Sequence, residues 1–349
     1  MANAAVNRLN PFARNPAIEE LNEDVAPDRS FLIEHLGTVS IAIVLVVLLV
    51  GFRIGSAAFF SQANWLATSQ YAVEYLILAI GETYVIVAGG IDLSVGANLG
   101  FASMAAAVVM TSLSPSGSDP GTTILVGFVV SVAVGGAVGL VNGLLITKVK
   151  LGPFITTLGT LGMLTGGIDL LHGGTEIANL PNELGNLGNT AYGGWFTLPV
   201  IIMAGLAVGS GLVLATTRFG MNNYAVGSSE VAARRSGVNV ERHMLAVYTL
   251  AGLLAGIAGF LVMARFADAS PLAGANDELD AIAATVIGGA SLLGGRGSVL
   301  GTSIGTAIVA MLVTGLVIIN VQPFWQQVAV GGVLIGAVAI DRVNRSARG

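Results

Sequence analysis

The sequence predicts an all-α membrane protein that crosses the bilayer about ten times, and three observations support this. Hydrophobic residues make up 54% of the 349-residue chain and charged residues only 10%, a composition far from that of a soluble domain. Ten apolar segments follow one another along the chain. One threading of these segments places nearly all Lys and Arg residues on the same side of the membrane.

The chain begins with a polar segment, residues 1–36, that mixes acidic and basic side chains. A secretory signal peptide would begin with a short basic stretch followed at once by an apolar core, and this segment has neither. We therefore expect a disordered cytoplasmic tail here. A second cytoplasmic tail is expected at residues 342–349.

The transmembrane domain is predicted over residues 37–341. A membrane-spanning helix needs about 20 apolar residues. The candidate segments lie near residues 37–55, 66–88, 97–113, 122–146, 154–172, 196–216, 244–264, 281–294, 299–319 and 322–341. The eighth segment is short and glycine-rich, so we expect a broken or re-entrant element there. The even number of segments returns the C-terminus to the side of the N-terminus.

Short cytoplasmic loops are enriched in Lys and Arg, so these residues test the threading. With a cytoplasmic N-terminus, thirteen of the fifteen lie inside: Arg8, Arg14, Arg29, Lys148, Lys150, Arg218, Arg234, Arg235, Arg242, Arg296, Arg342, Arg345 and Arg348. Arg53 and Arg265 fall at outer helix ends. Without the eighth segment the basic C-terminal tail would lie outside, so ten segments fit better than nine.

Glycines recur at four-residue spacing on several segments, a pattern that lets helices approach closely in lipid. The rows are Gly135, Gly139 and Gly143; Gly252 and Gly256; Gly301 and Gly305; and Gly332 and Gly336. We interpret them as helix-packing glycines rather than phosphate-binding ones.

Two glycine-rich stretches fit poorly with ordinary helices, residues 89–96 (GGIDLSVG) and 288–295 (GGASLLGG). At an offset of 199 residues, Gly89, Gly90, Leu93 and Gly96 align with Gly288, Gly289, Leu292 and Gly295. The match hints at a duplication with one broken element in each half, as in many transporters. The predicted breaks lie at Gly89, Gly90, Gly96, Gly288, Gly289, Gly294 and Gly295.

Acidic residues within the apolar segments are costly in lipid, and each needs a role. Glu74 and Glu82 lie about 80° apart on one helix, so both are expected to face the interior of the bundle. Each either lines a polar path or is a buried acid bonded to neighbouring helices. Asp92 and Ser94, which follow the first break, either cap the next helix or contact a substrate.

The stretch from residue 218 to residue 242 is too polar to span the membrane and is predicted to contain a short cytoplasmic helix. Ser228 or Ser229 can cap this helix, Glu230 lies in its first turn and Gly237 ends it. A helix that docks onto a soluble partner explains this order of residues better than a solvated linker does.

Together these stretches resemble the permease subunits of ABC importers, and most closely the branch that contains the ribose, xylose, arabinose and galactose permeases. Glu230, Ala233 and Gly237 match the coupling-helix signature of that family. The other matching pieces are residues 89–96, Asn142-Gly143 with residues 153–160 (PFITTLGT), and residues 278–284 (ELDAIAA) leading to Gly288 and Gly297. They follow the family order from about residue 66 to residue 341.

The chain departs from the family pattern in two places. Gly227-Ser228-Ser229 stands where the family usually has Gly-Gly-Asn, and Arg235 stands where Leu is common. Neither departure affects the family assignment.

The resemblance implies a permease subunit in a bacterial inner membrane that serves a binding-protein-dependent importer of a sugar or polyol. Its partners would be two cytoplasmic ABC ATPase subunits, a periplasmic sugar-binding protein and a second permease copy, identical or related. The ATPase would contact Glu230, Ala233, Arg234 and Gly237. The path between the two copies would be lined by Glu74, Glu82, Asp92, Ser94, Asn98 and Asn142.

The chain is expected to be no enzyme and to bind no metal or cofactor. It contains no Cys, and its three His residues are far apart. Its only lysines, Lys148 and Lys150, lie outside any Gly-x-x-x-x-Gly-Lys phosphate loop, so ATP would be used by the partner subunit. The net charge of −5, with few and scattered basic residues, argues against nucleic-acid binding.

An ion-coupled secondary carrier of a small polar solute is the alternative function. Glu74 and Glu82 would then be coupling residues beside a broken-helix site. This alternative leaves the stretch 218–242 without a role.

Overall fold

A computed structural model describes residues 44–113, 118–322, 324–326, 328–333 and 335–336, and most of them are helical. The helices are α1 (Val44–Gly55), α2 (Gln62–Val87), α3 (Val95–Leu113), α4 (Pro120–Thr147), α5 (Pro153–His172), α6 (Asn182–Asn189), α7 (Leu198–Thr216), α8 (Arg218–Ser228), α9 (Glu230–Arg235), α10 (Val240–Phe266), α11 (Asp277–Ile287) and α12 (Val299–Ile318). A 3₁₀ turn covers Ala57–Phe60, and an antiparallel pair, β1 (Ala191–Tyr192) and β2 (Phe196–Thr197), connects α6 to α7. The predicted tails, residues 1–36 and 342–349, lie outside the described residues.

Within the described ranges, seven helices are long and apolar enough to cross a membrane: α2, α3, α4, α5, α7, α10 and α12. The chain is therefore an all-α, multi-pass membrane protein, but the predicted count of about ten spans is not confirmed. The eighth predicted segment forms the 11-residue α11, because three acidic residues occupy its first turn and Gly288 caps its C-terminus. The first and last predicted segments extend beyond the described residues.

Helix α2 lies at the centre of the bundle. Its residues from Tyr75 to Val87 are all buried, and α7, α10, α11 and α12 pack around it. A helix that is apolar on every face is typical of such a central position. Helix α7 lies at the periphery, since only 17% of its most apolar stretch is buried, which leaves most of its surface to lipid or to another subunit.

The closest helix pair is α4 and α10, which touch through their glycines as predicted. A Cβ atom placed on Gly139 would overlap the carbonyl oxygen of Tyr248 and lie 3.0 Å from Cα of Gly252. One placed on Gly135 would lie 2.7 Å from Cα of Gly256. Backbones can approach this closely in lipid only where side chains are absent.

The other predicted glycine rows have mixed outcomes. Gly143 packs against Leu245, and Gly301 and Gly305 pack against the backbone of α11 and its C-cap residue. Gly332 and Gly336 have open space around them within the described part of the chain, so no packing role is seen for that row.

Replacing Gly139 with Ala should lower the melting temperature of the purified protein in detergent. The new methyl group has no space against α10, and overpacking of this kind typically costs about 1–3 kcal/mol. Gly209→Ala is the matched control, because nothing lies within 4 Å of that position in the interior of α7 and Ala is the better helix former. An unchanged melting temperature for Gly139→Ala would contradict direct backbone packing of α4 on α10.

Candidate functional site

The two glycine breaks and the polar stretch after α7 meet in one place, although they are far apart in sequence. The backbone N–H of Gly295 donates to the carbonyl oxygen of Val87, 2.9 Å away. A Cβ atom on Gly294 would lie 2.7 Å from the carbonyl oxygen of Gly227 and 3.0 Å from Cα of Gly89. We call this contact of Gly89, Gly227 and Gly294 the three-glycine junction.

The junction admits no side chain at two of its positions. A Cβ atom on Gly227 would overlap the carbonyl oxygen of Val87. Gly294 has a φ of +84°, in the left-handed region that glycine favours, and a Cβ atom there would meet two other backbones. The sequence therefore brings three unwound or helix-end segments together at backbone contact distance.

The two breaks end their helices in the same way, with a Schellman motif. After α2, Gly89 (φ +84°) donates from its N–H to Ile86 O at 2.9 Å, and Gly90 donates to Val85 O at 2.9 Å. After α11, Gly289 (φ +91°) donates to Val286 O at 2.9 Å, and Ala290 donates to Thr285 O at 3.1 Å. Glycine is favoured in this position because its left-handed backbone carries no Cβ penalty.

This equivalence corrects the predicted alignment of the two stretches by one residue. Gly89 corresponds to Gly289 at an offset of 200, whereas the identity count pairs it with Gly288 at 199. Gly288 has a φ of −66° and is the ordinary C-cap residue of α11. Counting identical residues pairs Gly89 with Gly288. Within the pairs Gly89-Gly90 and Gly288-Gly289, however, only Gly89 and Gly289 adopt the left-handed conformation, so these two are equivalent.

The remaining glycines of the predicted breaks, Gly90, Gly96 and Gly295, make close packing contacts. Gly90 lies against the hydroxyl group of Tyr248, and Gly96 lies against Glu278 and the carbonyl oxygen of Gly274. Gly295 adopts a φ of +73° and packs against Ser228.

The polar stretch forms two helices, α8 and α9, where one was predicted. Ser229 separates them and caps α9, its side chain accepting a hydrogen bond from the N–H of Ala232 at 3.3 Å. Gly237 (φ +86°) ends α9, donating to Arg234 O, while Val238 donates to Ala233 O. The N-cap and the terminating glycine are therefore those that the sequence predicts, and the end of α9 is a third Schellman motif.

Helix α8 is anchored to the protein by two side chains that the sequence did not single out. Nδ2 of the fully buried Asn223 donates to Tyr84 O at 2.9 Å, and its Oδ1 lies 2.9 Å from Nε2 of His243. The hydroxyl of Tyr224 donates to Gly297 O at 2.7 Å. Asn223 thus holds α2 near the first break, and Tyr224 holds the loop that follows the second.

Helix α9 presents most of its surface to the surroundings. Ala233 is buried, whereas Glu230 and Arg234 are exposed and paired, with Arg234 Nη2 2.7 Å from Glu230 Oε1. Nη1 of Arg234 lies 2.6 Å from Oε1 of Glu241. The hydrogen bond to Glu230, and then the one to Glu241, raises the pKa of Arg234 above its usual value, so the guanidinium is charged throughout the physiological range.

An apolar side chain accompanies these charges, because Val231 is 61% exposed. A charged rim around an exposed aliphatic residue is the composition expected of a protein-docking surface. Glu230, Ala233 and Arg234, three of the residues predicted to contact the ATPase, lie in α9, and the fourth, Gly237, follows its C-terminal end.

Three of the six predicted path residues form one buried network. Oδ1 of Asp92 accepts from the N–H of Ser94 at 2.9 Å and from its hydroxyl at 2.6 Å. Asn142 Nδ2 donates to Ser94 Oγ at 2.9 Å, and Thr160 donates to Asn142 Oδ1 at 2.6 Å. The network ties the first break to α4 and α5, and Asp92 is bonded within the break, to Ser94, rather than to the first turn of α3.

The other three predicted path residues are not part of that network. Glu82 is fully buried, and neither of its carboxylate oxygens has a hydrogen-bond partner within the described part of the chain. Asn98 donates from Nδ2 to Gly135 O at 3.1 Å. Glu74 lies 3.9 Å from Nη1 of Arg265, about 12 Å from Glu82 along the helix. Both acids avoid the exposed surface, as predicted.

The family model described as "Branched-chain amino acid transport system / permease component" matches residues 63–338. The ribose import permease protein RbsC of Bacillus subtilis is 39% identical over 302 residues, 85% of this chain and 90% of the relative.

Other relatives have a similar extent. The D-allose transport system permease protein AlsC of Escherichia coli is 36% identical and covers 77% of this chain and 80% of its own length. The galactose/methyl galactoside import permease protein MglC of Salmonella typhimurium is 35% identical and covers 87% and 94%. No solved structure matches the chain.

Replacing Gly294 with Ala should destabilise the three-glycine junction. The substitution forces a left-handed Ala, at about 1–2 kcal/mol, and adds a clash with Gly227 and Gly89. Gly173→Ala carries a similar φ of +64° with nothing within 4 Å, so it isolates the cost of the backbone conformation. We expect a larger loss of melting temperature for Gly294→Ala, together with faster proteolysis between residues 218 and 237. Equal effects of the two variants would show that the contact contributes nothing.

Proposed function

This chain belongs to the family of transport-system permease components, and we propose that it forms the membrane path of an ATP-driven, binding-protein-dependent importer of a monosaccharide or polyol. The observation that carries the proposal is the extent of its likeness to sugar permeases. Relatives named for ribose, allose and galactose align with 77–87% of the chain at 35–39% identity.

A transport subunit, and not an enzyme, is what these relatives indicate. Their names as import permeases also favour this function over the ion-coupled carrier. The polar stretch supports the same choice, because it forms a short, exposed and charged helix, α9, for which a carrier would have no use.

We propose that α9 docks onto a separate ATPase subunit through Glu230, Val231 and Arg234, with Ala233 and Gly237 shaping the element. The arrangement around α8 supplies a route for the resulting motion. Asn223 is bonded to the end of α2 and Tyr224 to the loop 288–298, so displacement of α8 pulls on both breaks. Movement of a rigid element against a hinge of unwound residues is a known form of conformational switching.

The orientation follows from the end of the bundle at which the junction lies. The loops 148–152, 217–239 and 288–298 hold six basic residues, Lys148, Lys150, Arg218, Arg234, Arg235 and Arg296, and Arg242 follows at the start of α10. A surplus of Lys and Arg in short loops marks the cytoplasmic side. We therefore place the junction inside, with both termini cytoplasmic in a bacterial inner membrane.

We propose that the substrate passes between two copies of the chain. The surfaces of α5 and α7 support this, because only 28% and 17% of their most apolar stretches are buried within one copy. In this arrangement Asp92, Ser94 and Asn142 fix the first break and its neighbouring helices, while Glu74 belongs to the outer entrance and Glu82 and Asn98 lie between.

The whole proposal is tested by reconstitution of the chain in proteoliposomes with the ATPase and the binding protein encoded beside it. Uptake of a radiolabelled sugar, tested with ribose, allose and galactose, should require ATP and the binding protein. Ionophores that collapse proton and sodium gradients should leave it unchanged. ATP-independent uptake that these ionophores abolish would establish the carrier instead.

Charge reversal at Glu230 should separate the chain from its ATPase. Glu230→Arg removes the partner of Arg234 and places two adjoining positive charges on the docking helix. We expect the ATPase no longer to co-purify with the variant. Glu183→Arg is the charge-matched control, because Glu183 is exposed on α6 at the opposite end of the bundle. Undiminished co-purification with Glu230→Arg would remove α9 as the docking element.

A further inference from the structure

A cavity of about 390 Å³ lies at the end of the bundle opposite the three-glycine junction. Tyr71 and Tyr75 of α2 form one wall, and Asn276, Asp277 and Asp280 at the start of α11 form another. Gln326, in the helical residues near the C-terminus, lines a third side. Tyr71 is about 24 Å from Val87 along α2, so the cavity opens at the outer side in the orientation proposed above. We call it the outer cavity.

The tyrosine wall is rigidly built. The two rings are stacked with centroids 4.6 Å apart and planes inclined by 30°. The hydroxyl of Tyr75 donates to Oδ1 of Asp277, 3.3 Å away. An aromatic face fixed in this way offers a flat apolar surface next to a carboxylate.

The opposite wall carries polar groups on a strained turn. Asn276 has a φ of +70°, unusual for a residue other than glycine, and its side chain makes no capping hydrogen bond to α11. Strained backbone of this kind is found most often at functional sites. Asp277 and Asp280 follow, three residues apart and therefore on one face of the helix.

The chemistry of the lining selects among small ligands. Its polar side chains are carboxylates, amides and phenols, and among the described residues no Lys, Arg or His lines the cavity. Carboxylates accept hydrogen bonds from hydroxyl groups, and an aromatic face accommodates the C–H side of a sugar ring. A neutral ligand rich in hydroxyl groups needs no charged partner, and this lining supplies acceptors for its hydroxyl groups. The volume is that of a small-molecule site.

We propose that the outer cavity is a binding site for a neutral, hydroxyl-rich ligand, a monosaccharide or polyol, on its way into the permease. The inference rests on the proposed function and sharpens it. It assigns a contact for the substrate within this chain.

Two adjacent glycines allow a sharp test. Gly331 lines the outer cavity and Gly332 does not, and both are exposed with nothing within 4 Å of an added Cβ atom in the described part of the chain. The chain contains no Cys. Gly331→Cys and Gly332→Cys would be reconstituted with the ATPase and binding protein, treated with a bulky charged methanethiosulfonate reagent, and compared with treated wild type.

Modification of Gly331→Cys should abolish uptake of the radiolabelled sugar that the wild type transports, taken from ribose, allose and galactose. Modified Gly332→Cys should transport normally, and binding-protein-stimulated ATP hydrolysis should persist in both. Excess sugar should slow the modification of Gly331→Cys. Because each variant is assayed before modification, a folding defect is recognised at once.

A second pair of variants tests the carboxylates. Asp280→Asn should lower sugar uptake about tenfold, the loss expected when a hydrogen bond to a ligand hydroxyl is removed and its partner left unsatisfied. Glu183→Gln is the control, because Glu183 is exposed on α6 and does not line the outer cavity.

The outcomes separate the two proposals. Unchanged uptake by modified Gly331→Cys and by Asp280→Asn, with active wild type, would overturn the outer-cavity site and leave the importer function standing. If the wild type imports none of the three sugars but imports radiolabelled leucine with ATP, the sugar class and the outer-cavity site are both overturned.

Discussion

The interior of a membrane offers no water, so each backbone N–H and C=O freed where a helix breaks must find a partner within the protein. This requirement governs the arrangement around α2. Its first break is satisfied by the Schellman bonds of Gly89 and Gly90, by the N–H of Gly295 on Val87 O, and by Thr157, which accepts from the N–H of Leu93. Those partners come from three different parts of the chain, so the break holds the bundle together.

The same contacts serve stability and motion. Asn223 and Tyr224 bond to main-chain carbonyls, and the three-glycine junction consists of main chain alone. Contacts of this kind depend on the position of the backbone. They would break if α8, the end of α2 and the loop 288–298 moved relative to one another. The polar network of Asp92, Ser94 and Asn142 behaves differently, because its side chains link the break to α4 and α5 deep in the bundle and are fully hydrogen-bonded.

Local features of the fold could be read from the sequence, whereas contacts between distant segments could not. Ser229 and Gly237 predicted the limits of α9, since caps and terminating glycines act on their own helix. The glycine spacing of α4 and α10 predicted their packing for a similar reason. The alignment of the two breaks failed by one residue, because identity does not show which glycine has positive φ.

The candidate site was predicted to a smaller extent. Asp92, Ser94 and Asn142 were selected as polar residues at membrane depth, and they do lie together. The anchoring role of Asn223 and Tyr224 could not be predicted, because their partners are backbone carbonyls. Every residue has a backbone carbonyl, so the partner's sequence gives no indication of the bond. Apolar length alone could not show that α11 runs from Asp277 to Ile287 rather than over residues 281–294, and the predicted count of about ten spans is not confirmed within the described ranges.

The hydrogen bond from the N–H of Gly295 to Val87 O joins the end of α2 to the loop that follows α11, and this bond has a mechanical consequence. A chain with two independent hinges could bend at either one, and a push from outside would be divided between them. Here the hinges are fastened to each other and to α8, so they form a single joint with few internal degrees of freedom. If α8 moves as proposed, the hydrogen bonds of Asn223 and Tyr224 carry its displacement to both breaks at the same time.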